Sequence, residues 1–162
     1  MVKKSNKNIF FFTIFSISLI LDILSKYLIN LFQPNFKVLP FFAIVFIKNE
    51  GAGFGLFRGQ FLFLTIVSIL FLGIIAYYYK KIENNKLLLT SISLACAGAL
   101  GNLIDRISRG FVIDFLDLFY NNFHWPAFNI ADVSLVSGMV LYIIYSYKEE
   151  KKENKDKKKR KK

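Results

Sequence analysis

The sequence predicts an all-α integral membrane protein with four transmembrane helices, a small extracytoplasmic β-hairpin at the outer interface, and both termini in the cytoplasm. Three observations carry this. Of the 162 residues, 54% are hydrophobic and only 20% charged, whereas soluble domains are about 45–50% apolar even with glycine counted. The apolar residues gather into four runs, each near the roughly 20 residues that cross a hydrocarbon core about 30 Å thick. The basic residues behind the net charge of +11 cluster at the two ends and in one short internal stretch. They do not interleave with aromatics as a nucleic-acid surface requires; such lysines stay in the cytoplasm and touch anionic lipid heads.

The first run, Ile9 to Phe32, follows the basic start MVKKSNKN. No small-residue cleavage site follows, and apolar character resumes after Asp22 and Lys26, so it reads as an uncleaved span. The others are Phe61 to Tyr79, Leu87 to about Ile104, and Ile130 to Tyr147. Lys3, Lys4 and Lys7, then Lys80, Lys81 and Lys86, then the lysine-rich end all fall on one side, the cytoplasmic one. Lys37, Lys48, Arg58, Arg106 and Arg109 fall on the other and need local work or anionic neighbours. Residues 1–147 form one membrane domain, and 148–162 a disordered basic cytoplasmic tail against the inner leaflet. The single Cys96 can form no internal disulfide and reads as a packing residue.

The first outer connection carries a β-rich segment at about 37–58. Phe41 to Ile47, bounded by Pro40 and a glycine-rich turn, reads as short interfacial strands. These either grip an extended peptide by strand addition or cap the bundle.

Ionisable residues inside a membrane cost about 2.5–3.5 kcal/mol each at mid-depth on insertion scales, so they are by default paired and functional. Asp22 and Lys26 share a helical face and can pair, as a site or as an interfacial anchor. NEGAGFG, Asn49 to Gly55, is a tight turn or a substrate-contacting loop. In GALGNLIDR, Asn102, Asp105 and Arg106 fall on one face, as an ion pair or with Arg106 free to hold a carbonyl or phosphate. Asn129 and Asp132 fit a helix-capping arrangement. Asp114, flanked by apolar residues, is not explained that way. Two converging carboxylates share a proton and can activate water while donating to a carbonyl. With one histidine, His124, there is no triad, and a metal centre would have only carboxylates. Asp117 receives no catalytic role, and His124 with Trp125 reads as interfacial belt.

LDILSK (21–26), NEGAGFG, GALGNLIDR, GFVIDFLD (110–117) and FNIAD (128–132), in that order on four spans, resemble the bacterial lipoprotein signal peptidase family, signal peptidase II. The resemblance covers the chain except its lysine ends. It implies an aspartic endopeptidase of the bacterial cytoplasmic membrane, active at the outer face. It implies a substrate, a prolipoprotein with a diacylglyceryl-modified cysteine, cut immediately before that cysteine, and an inhibitor, the cyclic peptide globomycin. The catalytic pair maps onto Asp114 and Asp132, and the supporting residues onto Asp22, Lys26, Asn49, Gly51, Asn102, Asp105, Arg106, Asn129 and Ala131. An interfacial β-cradle and a short extracellular helix are implied beside the site. Gly53 and Val133 depart from the family's usual alanine and serine and bear on substrate fit alone. No cofactor and no nucleic-acid partner are expected, membrane lipids are, and the protein is expected to be a monomer. The alternatives are a small transporter or channel subunit using the intramembrane Asp, Lys and Arg residues as an ion path, and a non-catalytic scaffold.

Overall fold

The computed structural model describes residues 2–51 and 61–160; Gly53, Arg58 and the β-rich segment beyond residue 51 lie outside them. Among the described residues four α-helices form, α1 Val2–Phe32, α2 Phe61–Tyr78, α3 Lys86–Arg109 and α4 Ile130–Arg160, with a 3-10 turn at Tyr79–Lys81. Each is long and apolar enough to cross a membrane.

The middle helix is α3, which packs on α1, α2 and α4. Of its apolar window 67% is buried, against 17% or less in the others. The cause is its run of small residues, Ala95 to Ala99 and Gly101, which lets backbones approach closely where hydrocarbon offers no hydrophobic drive. A Cβ on Gly98 would meet the Ala131 carbonyl and lie 2.9 Å from the Leu135 nitrogen. One on Gly138 of α4 would lie 2.6 Å from the Ser91 carbonyl. Glycines on both partners therefore set the α3–α4 spacing. Outward faces stay apolar, with Ile17, Leu24, Leu62, Leu70 and Ile143 exposed, as a lipid-facing surface requires.

α3 has a cap at each end. Asn85 accepts from the Leu87 and Leu88 amides, and Gly110, at φ 80°, returns its own amide to the Arg106 carbonyl. At the end where α2 meets α3, the Lys7 ammonium donates to the carbonyls of Tyr79 and Ile82. Below it Phe11, Leu89 and Cys96 form a buried cluster.

The strands correct the expectation of an all-α bundle with one hairpin. β1 (Phe36–Leu39), β2 (Phe42–Asn49), β3 (Val112–Tyr120) and β4 (Phe123–His124) make one antiparallel sheet in that order. The connection between α3 and α4 therefore supplies β3, registered on β2 as Asn49 to Val112, Ile47 to Asp114 and Ala43 to Asp117. Its signal was a period of two, with Ile113, Phe115, Asp117 and Phe119 on one buried face; the aspartates disguised it as a polar loop. Because β2 is paired on both sides, an added strand would need the outer edge of β1 or β4. Among the described residues the connections from α1 to α2 and from α3 to α4 contain strands and no helix.

The tail also differs. Expected to be disordered from residue 148, it continues α4 unbroken to Arg160. Lysine and glutamate are strong helix formers, and the span supplies the nucleus. Lys152–Glu149 and Lys157–Glu153, at 3.9 and 3.8 Å, add a few tenths of a kcal/mol each at most.

Candidate active site

At the sheet-bearing end of the bundle a buried lysine joins α1 to α3. Lys26, one turn after Asp22 on α1, is 1% exposed. Its ammonium meets Asp22 Oδ2 at 2.8 Å, Asn102 Oδ1 at 2.9 Å and Asp105 Oδ2 at 3.3 Å. One hydrogen bond to Asn102 and two ion pairs to Asp22 and Asp105 thus surround the ammonium, and such partners are the condition for burying a cation. Asp22 Oδ1 accepts the Ala131 amide at 2.8 Å, one of the unpaired donors of the first turn of α4. Asp105 Oδ2 also accepts the Ile113 amide at 3.1 Å, so it ties α3 to the start of β3. Its ion pair on α3 is with Arg109. The partner is thus the residue one full turn on, stacked on the same face, and not the adjacent Arg106.

Asn129 and Asp132 form a reciprocal capping box. The Asn129 side-chain oxygen accepts the Asp132 amide at 2.9 Å, and Asp132 Oδ2 accepts the Asn129 amide at 3.1 Å. The Asn129 NH2 donates to Asp114 Oδ1 at 2.7 Å and Asn102 Oδ1 at 3.1 Å. Asn102 donates to Asp132 Oδ1 at 2.7 Å, and Asn49 to Asp114 Oδ2 at 2.7 Å. Asn49 in turn accepts the Gly51 amide at 2.9 Å, which folds the chain back after β2. Each of the four carboxyl oxygens of Asp114 and Asp132 therefore receives an N–H, and Asn129 serves both. The amide orientations are forced: Lys26 can only donate, so Asn102 turns its oxygen to Lys26 and its NH2 to Asp132.

Asp114 is 2% exposed. Burial, and then the nearby Asp132 charge, push its carboxyl up to about 7, against the opposing amides of Asn49 and Asn129 and the charge of Lys26. Arg106 is half-buried and close enough to Asp132, Asp114 and Asp105 to interact electrostatically. Among the described residues its guanidinium closes no hydrogen bond.

The predicted site residues Asp22, Lys26, Asn49, Gly51, Asn102, Asp105, Asn129, Ala131, Asp114 and Asp132 thus lie in one connected network, with Arg106 beside it. Sequence reasoning missed a second cluster. Asp117 is buried and contacts His124 Nδ1 at 2.9 Å; His124 stacks on Phe119, and Lys37 sits over that ring. His124 is therefore tied to the sheet by its own partner. Its pairing partner was hidden because the strand alternation was hidden.

Residues 14–148 match the family model described as signal peptidase (SPase) II. The lipoprotein signal peptidase of Thermodesulfovibrio yellowstonii is 43% identical over 137 residues, 81% of this chain and 90% of that protein. That of Geobacter sulfurreducens is 38% identical over 141 residues, 82% of this chain and 88% of its own. A solved structure described as a bacterial membrane enzyme superimposes with TM-score 0.77 at 37% identity, covering 85% of this chain and 87% of that one. The transporter reading finds no support in these relatives. The chain is a multi-pass membrane protein that belongs to the signal peptidase II family.

Proposed function

We propose that this protein is an aspartic endopeptidase that removes signal peptides from prolipoproteins, cutting immediately before a diacylglyceryl-modified cysteine, with Asp114 and Asp132 as the catalytic pair. The observation that carries the reading is the Asn129 bridge. One residue donates to both carboxyl groups, and every carboxyl oxygen is fed by an N–H. Such a site holds two acids close together without ion-pairing either, the condition for sharing one proton.

Asp114, whose carboxyl is pushed up to about 7, is the protonated member and Asp132 the base. A water between them loses a proton to Asp132 as its oxygen bonds to the scissile carbonyl carbon. The Asp114 proton passes to the carbonyl oxygen, giving a gem-diol. Proton transfer to the cysteine nitrogen then lets the C–N bond break, and a diol proton returns to the pair. Arg106 orients the substrate backbone or head group. The sheet, with Asn49 on β2 and Asp114 on β3, forms the cradle beside the cleaved bond. Both termini face the cytoplasm and the site faces outward, an orientation supported by the lysine distribution and read by reporter fusions to the C-terminus.

The test is cleavage of a diacylglyceryl-modified prolipoprotein and its unmodified counterpart by the purified protein. Cleavage of only the first, insensitive to chelator and blocked by globomycin, is expected. Asp114→Asn and Asp132→Asn should each abolish cleavage in a folded, inserted protein. Substantial turnover by either variant sinks the pair assignment, and full turnover by both would favour the scaffold reading of these residues.

A further inference from the structure

α4 is a single rod with Asp132 in its first turn and a basic block at its far end. Between residues 148 and 156 four lysines oppose four acids, while Lys157 to Lys162 are six consecutive bases. The charge is therefore concentrated at the end of a neutral spacer. The helix is described through Arg160, and no proline interrupts it.

At 1.5 Å per residue, Lys157 lies about 38 Å along the helix from Asp132, and Arg160 about 42 Å. A bilayer with its head groups is about 40–45 Å thick, and a tilt near 20° shortens the projected rod only slightly. When Asp132 sits at the level of the outer head groups, the stretch of α4 from Lys157 to Arg160, where the basic block begins, sits at the inner ones. Inner-leaflet anionic lipids attract juxtamembrane bases, and the block falls within the roughly 8 Å over which that field persists. A disordered tail would make the same attraction without mechanical consequence. A helix continuous with the span transmits it.

We infer that the basic end of α4 binds the anionic phosphates of inner-leaflet phospholipids and thereby fixes the depth of Asp132 at the opposite face. The inference rests on the orientation proposed above and requires no peptidase activity. The partner is the lipid surface. The neutral spacer leaves the six bases as the gripping element.

The test uses the full chain in vesicles of phosphatidylcholine with or without phosphatidylglycerol. The comparison variant carries Lys157→Gln, Lys158→Gln, Lys159→Gln, Arg160→Gln, Lys161→Gln and Lys162→Gln together, since glutamine preserves helix propensity. Trp125, the only tryptophan, reports depth near the start of α4 through quenching by lipids brominated at successive carbons. With phosphatidylglycerol the two proteins should differ in quenching depth; with phosphatidylcholine alone they should coincide. Tryptic cleavage of the wild-type tail should slow at least about tenfold with phosphatidylglycerol and recover near 1 M salt, where screening shrinks to about 3 Å. Equal depth profiles with phosphatidylglycerol overturn the inference. So does a tail protected by added RNA but not by phosphatidylglycerol, which would assign it to a soluble polyanion. A C-terminus found outside intact cells overturns the orientation and this inference together, whereas a cytoplasmic tail indifferent to lipid charge overturns this inference alone.

Discussion

At the residue scale, Asp114 shows how a carboxyl group can be both well hydrogen-bonded and disfavoured as an anion. Amides from Asn49 and Asn129 favour its charge, but burial and the Asp132 charge outweigh them, pushing the carboxyl from 3.8 up to about 7. Because the folded value is raised, the folded chain keeps a proton that the unfolded chain releases between those limits. Stability is full below the unfolded value and falls as pH rises toward about 7. At about 1.4 kcal/mol per pH unit the loss is bounded near 4 kcal/mol. Wild-type melting temperature should drop between pH 5 and pH 8 by more than that of Asp114→Asn, and equal slopes would contradict the assignment. The rate of cleavage should likewise fall above about pH 7, as the acid loses its proton. Lys26 presents the opposite case, a buried charge held between two carboxylates and the Asn102 amide oxygen. Lys26→Met strands Asp22, Asn102 and Asp105 around an apolar side chain, with an expected cost of about 3–5 kcal/mol. A loss in detergent-phase thermal unfolding below about 1 kcal/mol would show that Asp22 and Asp105 do not depend on it.

At the element scale, the start of α4 does two jobs with one set of atoms. The capping box that satisfies its amides also aims Asn129 at Asp114 and holds Asp132. Asp22 supplies the remaining cap from another helix by accepting the Ala131 amide. Close approach of α3 and α4 is what brings Asn102 to Asp132, and it depends on glycine. Gly138→Ala pushes a methyl into the Ser91 carbonyl and the Ala95 amide, 2.6 and 2.7 Å away. It should lower stability by about 1–3 kcal/mol, as overpacking does. Gly73 on α2 has nothing within 4 Å of such a methyl, so Gly73→Ala should be neutral or stabilising by up to about 1 kcal/mol. Comparing the two melting temperatures separates packing from propensity, and similar responses would refute the spacing role of Gly138.

At the scale of the whole molecule, composition and element order were legible in the sequence because the bilayer imposes them. A span must be apolar for about 20 residues and must satisfy its own backbone, so hydropathy alone identifies four helices. Local spacing gave the Asp22–Lys26 pair and the Asn129–Asp132 cap, since both lie within one turn. β3 was not legible, because a sheet pairs residues far apart in sequence, here Ile47 with Asp114, and the two aspartates broke its apolar pattern. Sequence adjacency points Asp105 to Arg106, but only the packed structure shows Arg109, Lys26 and the Ile113 amide around it. Charge density predicts a disordered tail, whereas attachment to an already formed helix supplies the nucleus that keeps residues 148–160 helical. The sequence by itself determined the spans, their order, the family pattern and the local caps, all of which depend on solvent and on near neighbours along the chain. Tertiary structure alone decided which donor faces which carboxyl oxygen, because those contacts join α1, α3, β2, β3 and α4 and exist only once the small residues of α3 have let the helices close.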